Sequence, residues 1–162
     1  MKGVESLIAA VLLIAITLAA IVIAFQLSNP GIDRTKENLI FQEGKSNLVL
    51  IDSSVKEVVL EGNGSSRLVS FHTTEGSYQI FPQNDSIYFS MESKAQIFGV
   101  GVSKIEDEIN ITGYPNKVVM FVNYTNIDIQ GGAILGKDNR DLMIKSFGWD
   151  PITQKHVVNI TV

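Results

Sequence analysis

The feature that most constrains this chain is an apolar run near its N-terminus, residues 7–25. Thr17 is the only residue in the run that is not apolar, and neither glycine nor proline interrupts it. As an α-helix of 19 residues the run spans about 28 Å, which is close to the thickness of a bilayer core. A helix this apolar is unfavourable in water, so we expect it to lie either in lipid or among copies of itself.

Three interpretations of this segment compete. A cleaved secretory signal has an apolar region of about 7–15 residues followed by small residues at the cleavage site. The run here is longer, and AFQLSNPG after it is a poor cleavage site. A membrane anchor needs this length together with flanking positive charge, which is limited to Lys2 before the run and Arg34 and Lys36 after it. The third interpretation is a subunit that polymerises through this helix.

Small and large residues occupy different faces of this helix when successive residues are placed about 100° apart. A stripe of small residues lets another helix approach closely in apolar surroundings. The alternative is a plain single-span anchor in which the alanines are scattered by chance. The candidate packing residues are Ser6, Ala9, Ala10, Thr17, Ala20 and Ala24 on the small-residue face, and Val11, Ile14, Leu18, Ile21 and Phe25 on the large-residue face.

Asn29, Pro30 and Gly31 are predicted to end the helix. The residue before a proline avoids the helical region, and glycine permits a sharp change of direction. We therefore divide the chain into a possible short leader (residues 1–3), an apolar helix (4–28), a hinge (29–35) and a β domain (36–162).

Beyond residue 36 the pattern changes to short runs rich in Val, Ile, Phe and Tyr that are separated by turn residues. The first two are NLVLIDS and VKEVVLE, AQIFGVG is in the middle and HVVNITV is the last. They recur roughly every ten residues and leave no room for long helices, which favours an antiparallel sandwich or barrel. EGNGSS contains the Asn-Gly pair of a hairpin turn. The predicted fold class is α+β, a long apolar N-terminal α-helix followed by an all-β, immunoglobulin-like sandwich.

The N-terminal residues KGVESLIAAVLLIAITLAAIVIA resemble those of archaeal type IV pilins, with archaellins as close relatives. In that family a short basic leader ends at Lys or Arg followed by Gly or Ala. A membrane-bound prepilin peptidase cuts on the cytoplasmic side of the apolar run, so the run is retained. Lys2 and Gly3 match the end of such a leader, and the resemblance places cleavage beside Gly3, before or after it, so that the mature chain begins at Gly3 or Val4.

The resemblance also implies that helices of many subunits bundle into a filament core and that the β domains face outward. The partners it implies are other copies of this chain, the prepilin peptidase, the assembly machinery and, before assembly, the membrane. It covers about the first 30 residues of the chain. The leader of two or three residues is short for the family, which is a departure from its pattern.

The motif Asn-x-Ser/Thr occurs five times after the helix. In an exported protein each occurrence marks a surface position open to N-glycosylation, and an ordinary surface asparagine is the alternative. In KIEDEINIT, predicted to be one strand, Asn110 shares a face with Glu106 and Glu108, opposite the isoleucines. The candidate glycosylation sites are Asn63, Asn84, Asn110, Asn123 and Asn159.

The remaining residues argue against several classes of function. The net charge of −4 and the lack of a Lys/Arg cluster argue against nucleic acid as a partner. The chain has no cysteine, which excludes disulfides and thiolate metal sites. His72 and His156 lack metal-ligand neighbours at helical spacing, and the acidic stretches at residues 106–108 and 137–141 do not match a calcium loop. With no nucleophile motif and no phosphate loop, we predict no enzyme, no metal and no cofactor.

These observations lead us to expect a structural subunit of an extracellular archaeal type IV pilus-like filament. We expect it to be N-glycosylated, inserted in the membrane before assembly, and used for adhesion. Two alternatives stay open. One is a monomeric extracellular β domain that is held by a permanent membrane anchor and binds a sugar or another ligand. The other is an archaellin of a motility filament.

Overall fold

The structure is a computed structural model that describes the backbone of residues 2–132 and 134–162, and the side chains of residues 8–25, 31–132 and 134–162. The chain divides into two compact units, Met1–Lys36 and Glu37–Val162. A 3-10 helix covers Pro82–Asn84. The other elements are α1 (Lys2–Glu61), β1 (Ser66–Thr73), β2 (Ser77–Phe81), β3 (Ser86–Glu92), β4 (Ser103–Glu106), β5 (Ile109–Tyr114), β6 (Lys117–Asn123), β7 (Ile127–Gly131), β8 (Ile134–Leu135), β9 (Asp138–Asp150) and β10 (Lys155–Thr161).

The first unit is helical over all of its described residues. Its segment Ile8–Phe25 is long and apolar enough to cross a membrane, and each of these residues is exposed. The hydroxyl of Thr17 donates to the backbone carbonyl of Ile14 at 2.8 Å, so this polar group is satisfied inside its own helix. The predicted apolar helix is therefore confirmed.

The predicted hinge at Asn29, Pro30 and Gly31 is wrong as a helix break, because α1 continues through these residues. The side chains of Asn29 and Pro30 lie outside the described residues. A proline inside a helix costs about 3 kcal/mol. Beyond these residues, the segment 37–61 buries an apolar face in the second unit, which favours a helix over a strand there. The helix consequently does not end at residue 28, and the strands do not begin at residue 36.

The runs NLVLIDS and VKEVVLE, predicted as strands, form the last turns of α1. The β propensity of Val and Ile is weak, and here the helical spacing of buried positions outweighs it. EGNGSS then connects α1 to β1 and is not a hairpin turn. The buried apolar residues of α1 in the second unit recur every three or four positions from residue 48 onward, and they are Ile40, Leu48, Ile51, Val55 and Val58.

The strands form two sheets, one in the order β1-β9-β10-β7 and the other in the order β4-β5-β6-β3-β2-β8. The paired strands are antiparallel, apart from β7 and β10, which run parallel with Ile127 opposite His156. Buried and less buried residues alternate along β5 and β6, as expected for a sheet with one core face. The predicted α+β class, an N-terminal apolar helix followed by a β domain, is confirmed. The helical segment 37–61 was not part of that prediction.

Two further strand predictions are wrong. KIEDEINIT is a hairpin of β4 and β5, because Asp107 and Glu108 adopt the positive φ values (52° and 66°) of a tight turn. Ile105 is therefore 71% exposed, whereas Ile109 is buried. AQIFGVG is irregular, and Val100 within it forms an isolated parallel bridge to Gly113 of β5.

Helix and sheets share the core of the second unit. The ring of Tyr78 contacts those of Phe71 and Phe89, with centroids 5.0 and 4.7 Å away. Gly44 of α1 faces this cluster, because a Cβ at residue 44 would lie 2.3 Å from Cε1 of Phe89. A glycine is therefore needed at this position, where the helix backbone lies against the Phe89 ring.

A buried carboxylate connects α1 to the segment that follows β3. Glu37 is 8% exposed. Its Oε2 accepts a hydrogen bond from the Ser93 hydroxyl at 2.8 Å. Its Oε1 accepts from the backbone N–H of Lys94 at 2.8 Å and of Ala95 at 2.9 Å. One side chain thus satisfies three donors of an irregular segment.

Candidate functional site

The candidate polymerisation surface is the set of side chains on residues 8–25 of α1. On its large-residue face every predicted packing residue is more than half exposed. Burying a side chain of this size contributes about 1.5–3 kcal/mol, so the helix has a strong tendency to be covered. These five residues are Val11, Ile14, Leu18, Ile21 and Phe25.

The small-residue face is also exposed where its side chains are described. Leu13, at 66% exposure, is the large residue within this stripe. The Thr17 hydroxyl is bonded within the helix and needs no partner from outside, so it can enter an apolar contact at little cost. Ser6 was predicted to be part of this face, and its side chain lies outside the described residues. The described members of this face are Ala9, Ala10, Thr17, Ala20 and Ala24.

The predicted leader junction is Lys2, Gly3 and Val4. The backbone of these residues belongs to α1. Their side chains lie outside the described residues, so the cleavage point stays a prediction.

Three of the five candidate glycosylation sites are exposed. Asn63 lies in the turn after α1, Asn84 ends the 3-10 helix, and Asn123 is the last residue of β6. Asn123 is exposed although the residues on both sides of it, Val122 and Tyr124, are buried. These three asparagines have the exposure that a glycan acceptor requires.

The other two candidate sites, Asn110 and Asn159, are partly buried. Asn110 lies on β5, on the face opposite the buried Ile109, as its sequence pattern predicted. Asn159 lies on β10, and its Oδ1 is buried without a hydrogen-bond partner among the described residues. That oxygen would lie 2.8 Å from a Cβ at Gly131. Asn159 therefore offers less room for a glycan than the three exposed asparagines.

The acidic stretch at residues 106–108 is paired with lysines of α1. Lys45 Nζ lies 2.8 Å from Asp107 Oδ2 and 2.9 Å from Glu106 Oε1, and Lys56 forms an ion pair with Glu108. Hydrogen bonds to these carboxylates raise the pKa of Lys45, and Lys45 in turn lowers the pKa of Glu106. Among the residues that the structure describes, no group of three His, Asp or Glu side chains could hold a metal ion.

Both histidines contact neighbours on the four-stranded sheet, and His156 Nδ1 is buried without a hydrogen-bond partner among the described residues. His72 Nδ1 lies 2.9 Å from Asn139 Oδ1 across the β1–β9 pair. The ring of His156 packs edge-on against Trp149, with centroids 5.1 Å apart. Both side chains are thus part of the four-stranded sheet's own contacts.

Sequence analysis did not single out the outer face of the six-stranded sheet. There the rings of Phe81, Tyr88 and Phe121 contact one another in a row. The signal in the sequence was that adjacent residues of a strand face opposite sides, so that Phe81 beside Ile80 and Tyr88 beside Ile87 lie on the face away from the core.

In comparisons with known proteins, no family model, no curated protein and no solved structure matches this chain.

Proposed function

We propose that this chain is the structural subunit of an extracellular archaeal type IV pilus-like filament and that residues 8–25 of α1 hold the filament together. The observation that carries the proposal is the exposure of every residue in an apolar helical segment of 18 residues. Such a segment must be covered by lipid or by other copies of itself. In this proposal lipid covers it before assembly and neighbouring helices cover it afterwards.

Two features favour other helices, rather than lipid, as the final environment of residues 8–25. The stripe of small residues that includes Ala9, Ala20 and Ala24 removes the side-chain bulk that keeps helices apart. The resemblance at Lys2 and Gly3 places processing in front of the apolar run, which therefore stays on the mature subunit. Relative to exposure in water, burial of the large residues is worth on the order of tens of kcal/mol per subunit before ordering and association costs are subtracted. Such a polymer would resist dissociation and would suit adhesion outside the cell.

Substitution on the two sides of the helix tests this packing. We expect Ala20→Phe to reduce the yield of sheared filaments severalfold, because overpacking of about 1–3 kcal/mol recurs in every subunit. Ala19→Phe is the matched control, since it adds the same side chain about 100° away around the helix. Equal filament yields from the two variants, at equal amounts of membrane-inserted subunit, would contradict close packing on the small-residue face.

A second candidate function is a monomeric extracellular binding domain with a permanent membrane anchor. The length of the Ile8–Phe25 segment favours it equally. Mass spectrometry of the mature N-terminus separates the two candidates. A chain that begins at Gly3 or Val4 supports prepilin processing, whereas an uncut chain supports the anchor. An archaellin role is separated from adhesion by comparing swimming and surface attachment in cells that lack the chain.

A further inference from the structure

The outer face of the six-stranded sheet contains a groove of about 420 Å³ that lies entirely within the second unit. It crosses β2 and β3 and reaches the turn between β5 and β6. Its volume falls within the range of about 300–1,000 Å³ that is usual for small-molecule sites. The groove therefore has the size of a ligand site rather than of a packing defect.

Aromatic rings form one part of the groove. Tyr88 is held between two rings, stacked on Phe121 at 5.0 Å and edge-on to Phe81 at 5.0 Å. These contacts fix the orientation of the Tyr88 ring. Tyr114 stands at the rim and is 45% exposed, with Lys117 Nζ 5.3 Å from its ring centroid. The site is thus a preformed aromatic surface that remains open to solvent.

Uncharged polar groups form the other part. The hydroxyls of Ser77 and Ser90 lie 3.3 Å apart on paired strands, and Gln79 is opposite Tyr88 in the same strand pair. Hydroxyl and amide groups both donate and accept hydrogen bonds. Of the lining residues that the structure describes, Lys117 alone carries a charge.

We propose that this groove binds a saccharide. A sugar ring has an apolar C–H face, which suits the 45% exposed ring of Tyr114, and hydroxyl groups at its edge, which suit Ser77, Gln79 and Ser90. A nucleotide base would also stack on Tyr114, but its phosphates require several basic residues, and the groove presents one.

The groove has room for more than one sugar. A second depression of about 330 Å³ shares Ser77, Ser90 and Lys117 with it and extends to Glu92. An oligosaccharide can therefore continue from the aromatic part along the sheet. Lys117, between the two depressions, is placed to donate to a hydroxyl or carboxylate of the sugar.

The sugar has two conceivable sources with the same chemistry. Asn84 lines the groove, is exposed, and begins the sequon Asn84-Asp85-Ser86. A glycan attached there is held beside the groove at high effective concentration. The other source is a glycan on a foreign surface, which is the ligand class that adhesion would need.

The test uses the full chain, purified in detergent from a host that does not N-glycosylate it. Binding is measured by saturation-transfer NMR against methyl glycosides of hexoses, N-acetylhexosamines and uronic acids, and against oligosaccharides of two to four such units. We expect at least one oligosaccharide to bind, and Tyr114→Ala and Gln79→Ala to raise its dissociation constant by at least about fivefold.

Phe147→Ala is the matched control. Phe147 is 49% exposed and has Lys145 Nζ 5.3 Å from its ring centroid, as Tyr114 has Lys117, but it lies on the four-stranded sheet away from the groove. The control should bind like the unaltered chain. Binding of none of these saccharides, or equal binding by all three variants, would overturn the proposal.

A second arm identifies the source. If the Asn84 glycan fills the groove, the chain exported by its native host binds no added oligosaccharide, and Asn84→Gln from the same host does. If the ligand is foreign, both bind it. Polymerisation plays no part in these assays, so a chain that forms filaments without binding sugar refutes this inference and leaves the proposed function standing.

Discussion

The buried carboxylate of Glu37 provides a quantitative test of the fold. Its three hydrogen bonds, 2.8 to 2.9 Å long, reach the Ser93 hydroxyl and the backbone N–H groups of Lys94 and Ala95. Glu37→Ala leaves all three donors without this acceptor. Ser93 is 1% exposed, so its hydroxyl loses its partner in a site that water reaches poorly, whereas Lys94 is exposed and its segment can regain water.

The expected loss follows from these differences in exposure. A buried donor left unpaired costs about 1–3 kcal/mol, and each of the two rehydrated amides about 0.5–1 kcal/mol, so Glu37→Ala should destabilise the second unit by about 2–5 kcal/mol. For a unit of this size the midpoint of thermal unfolding should fall by roughly 10 °C. Glu37→Gln should lose less, because one amide oxygen can still accept from both backbone N–H groups.

The assay is urea unfolding of the full chain in detergent, followed by the fluorescence of its single tryptophan, Trp149. Amide hydrogen exchange adds a local readout, with protection lost at Lys94 and Ala95. Glu57→Ala is the control, since its ion pair with Arg67 is exposed and should contribute less than about 1 kcal/mol. If Glu37→Ala costs no more than Glu57→Ala, the carboxylate does not hold this segment and the reasoning is refuted.

Two further predictions concern the core. Burial raises the pKa of Tyr78 and Tyr124, so the folded chain holds their protons more tightly than the unfolded chain does. The free energy of unfolding is therefore unaffected below the unfolded tyrosine pKa of about 10. Above it, this free energy falls by up to about 1.4 kcal/mol per pH unit for each tyrosine. Urea unfolding at pH 8 and pH 11 should show this loss. The loss should be smaller in the double variant Tyr78→Phe/Tyr124→Phe and unchanged in the control Tyr114→Phe. Equal losses in the two variants would contradict the prediction. Gly44→Ala should destabilise the second unit by about 1–2 kcal/mol, because overpacking of the added methyl group against Phe89 exceeds the gain in helix propensity. Gly31→Ala should not destabilise, because no atom beyond the adjoining helix backbone lies within 4 Å of the added Cβ. A loss at both positions would point to the helix itself.

The apolar helix and the β domain were predictable because each follows from a local pattern. Residues 8–25 are apolar without interruption, which fixes a helix regardless of what covers it. After the helix, most of the short runs rich in Val, Ile, Phe and Tyr that are separated by turn residues about every ten positions are strands, as that spacing predicts. These signals do not depend on contacts distant in sequence.

The end of the helix was not predictable from the signals that we used. Asn29, Pro30 and Gly31 form a strong local stop, yet α1 continues through them to Glu61. Its last turns are helical because residues such as Val55 and Val58 bury one face in the core shared with strands that come later in the chain. The helical spacing of the buried residues was present in the sequence, but the abundance of Val and Ile there resembles a strand. Tertiary burial decided between the two patterns.

The groove on the outer face of the six-stranded sheet was not predictable from the sequence, because tertiary structure brings its residues together. Its aromatic residues come from strands whose order in the sheet, β6-β3-β2, differs from their order in the chain. Tyr88 and Phe121 are stacked because β3 pairs with β6 in a register that places them opposite each other. No spacing within a single run indicates that contact.

Electron cryomicroscopy of filaments sheared from cells that produce this chain tests the central claim most directly. The account predicts filaments built from this subunit, with residues 8–25 of each copy buried against the same residues of its neighbours and Ala20 at a close helix contact. Filaments that lack the chain, or a chain found solely as a membrane-inserted monomer with residues 8–25 facing lipid, would contradict it.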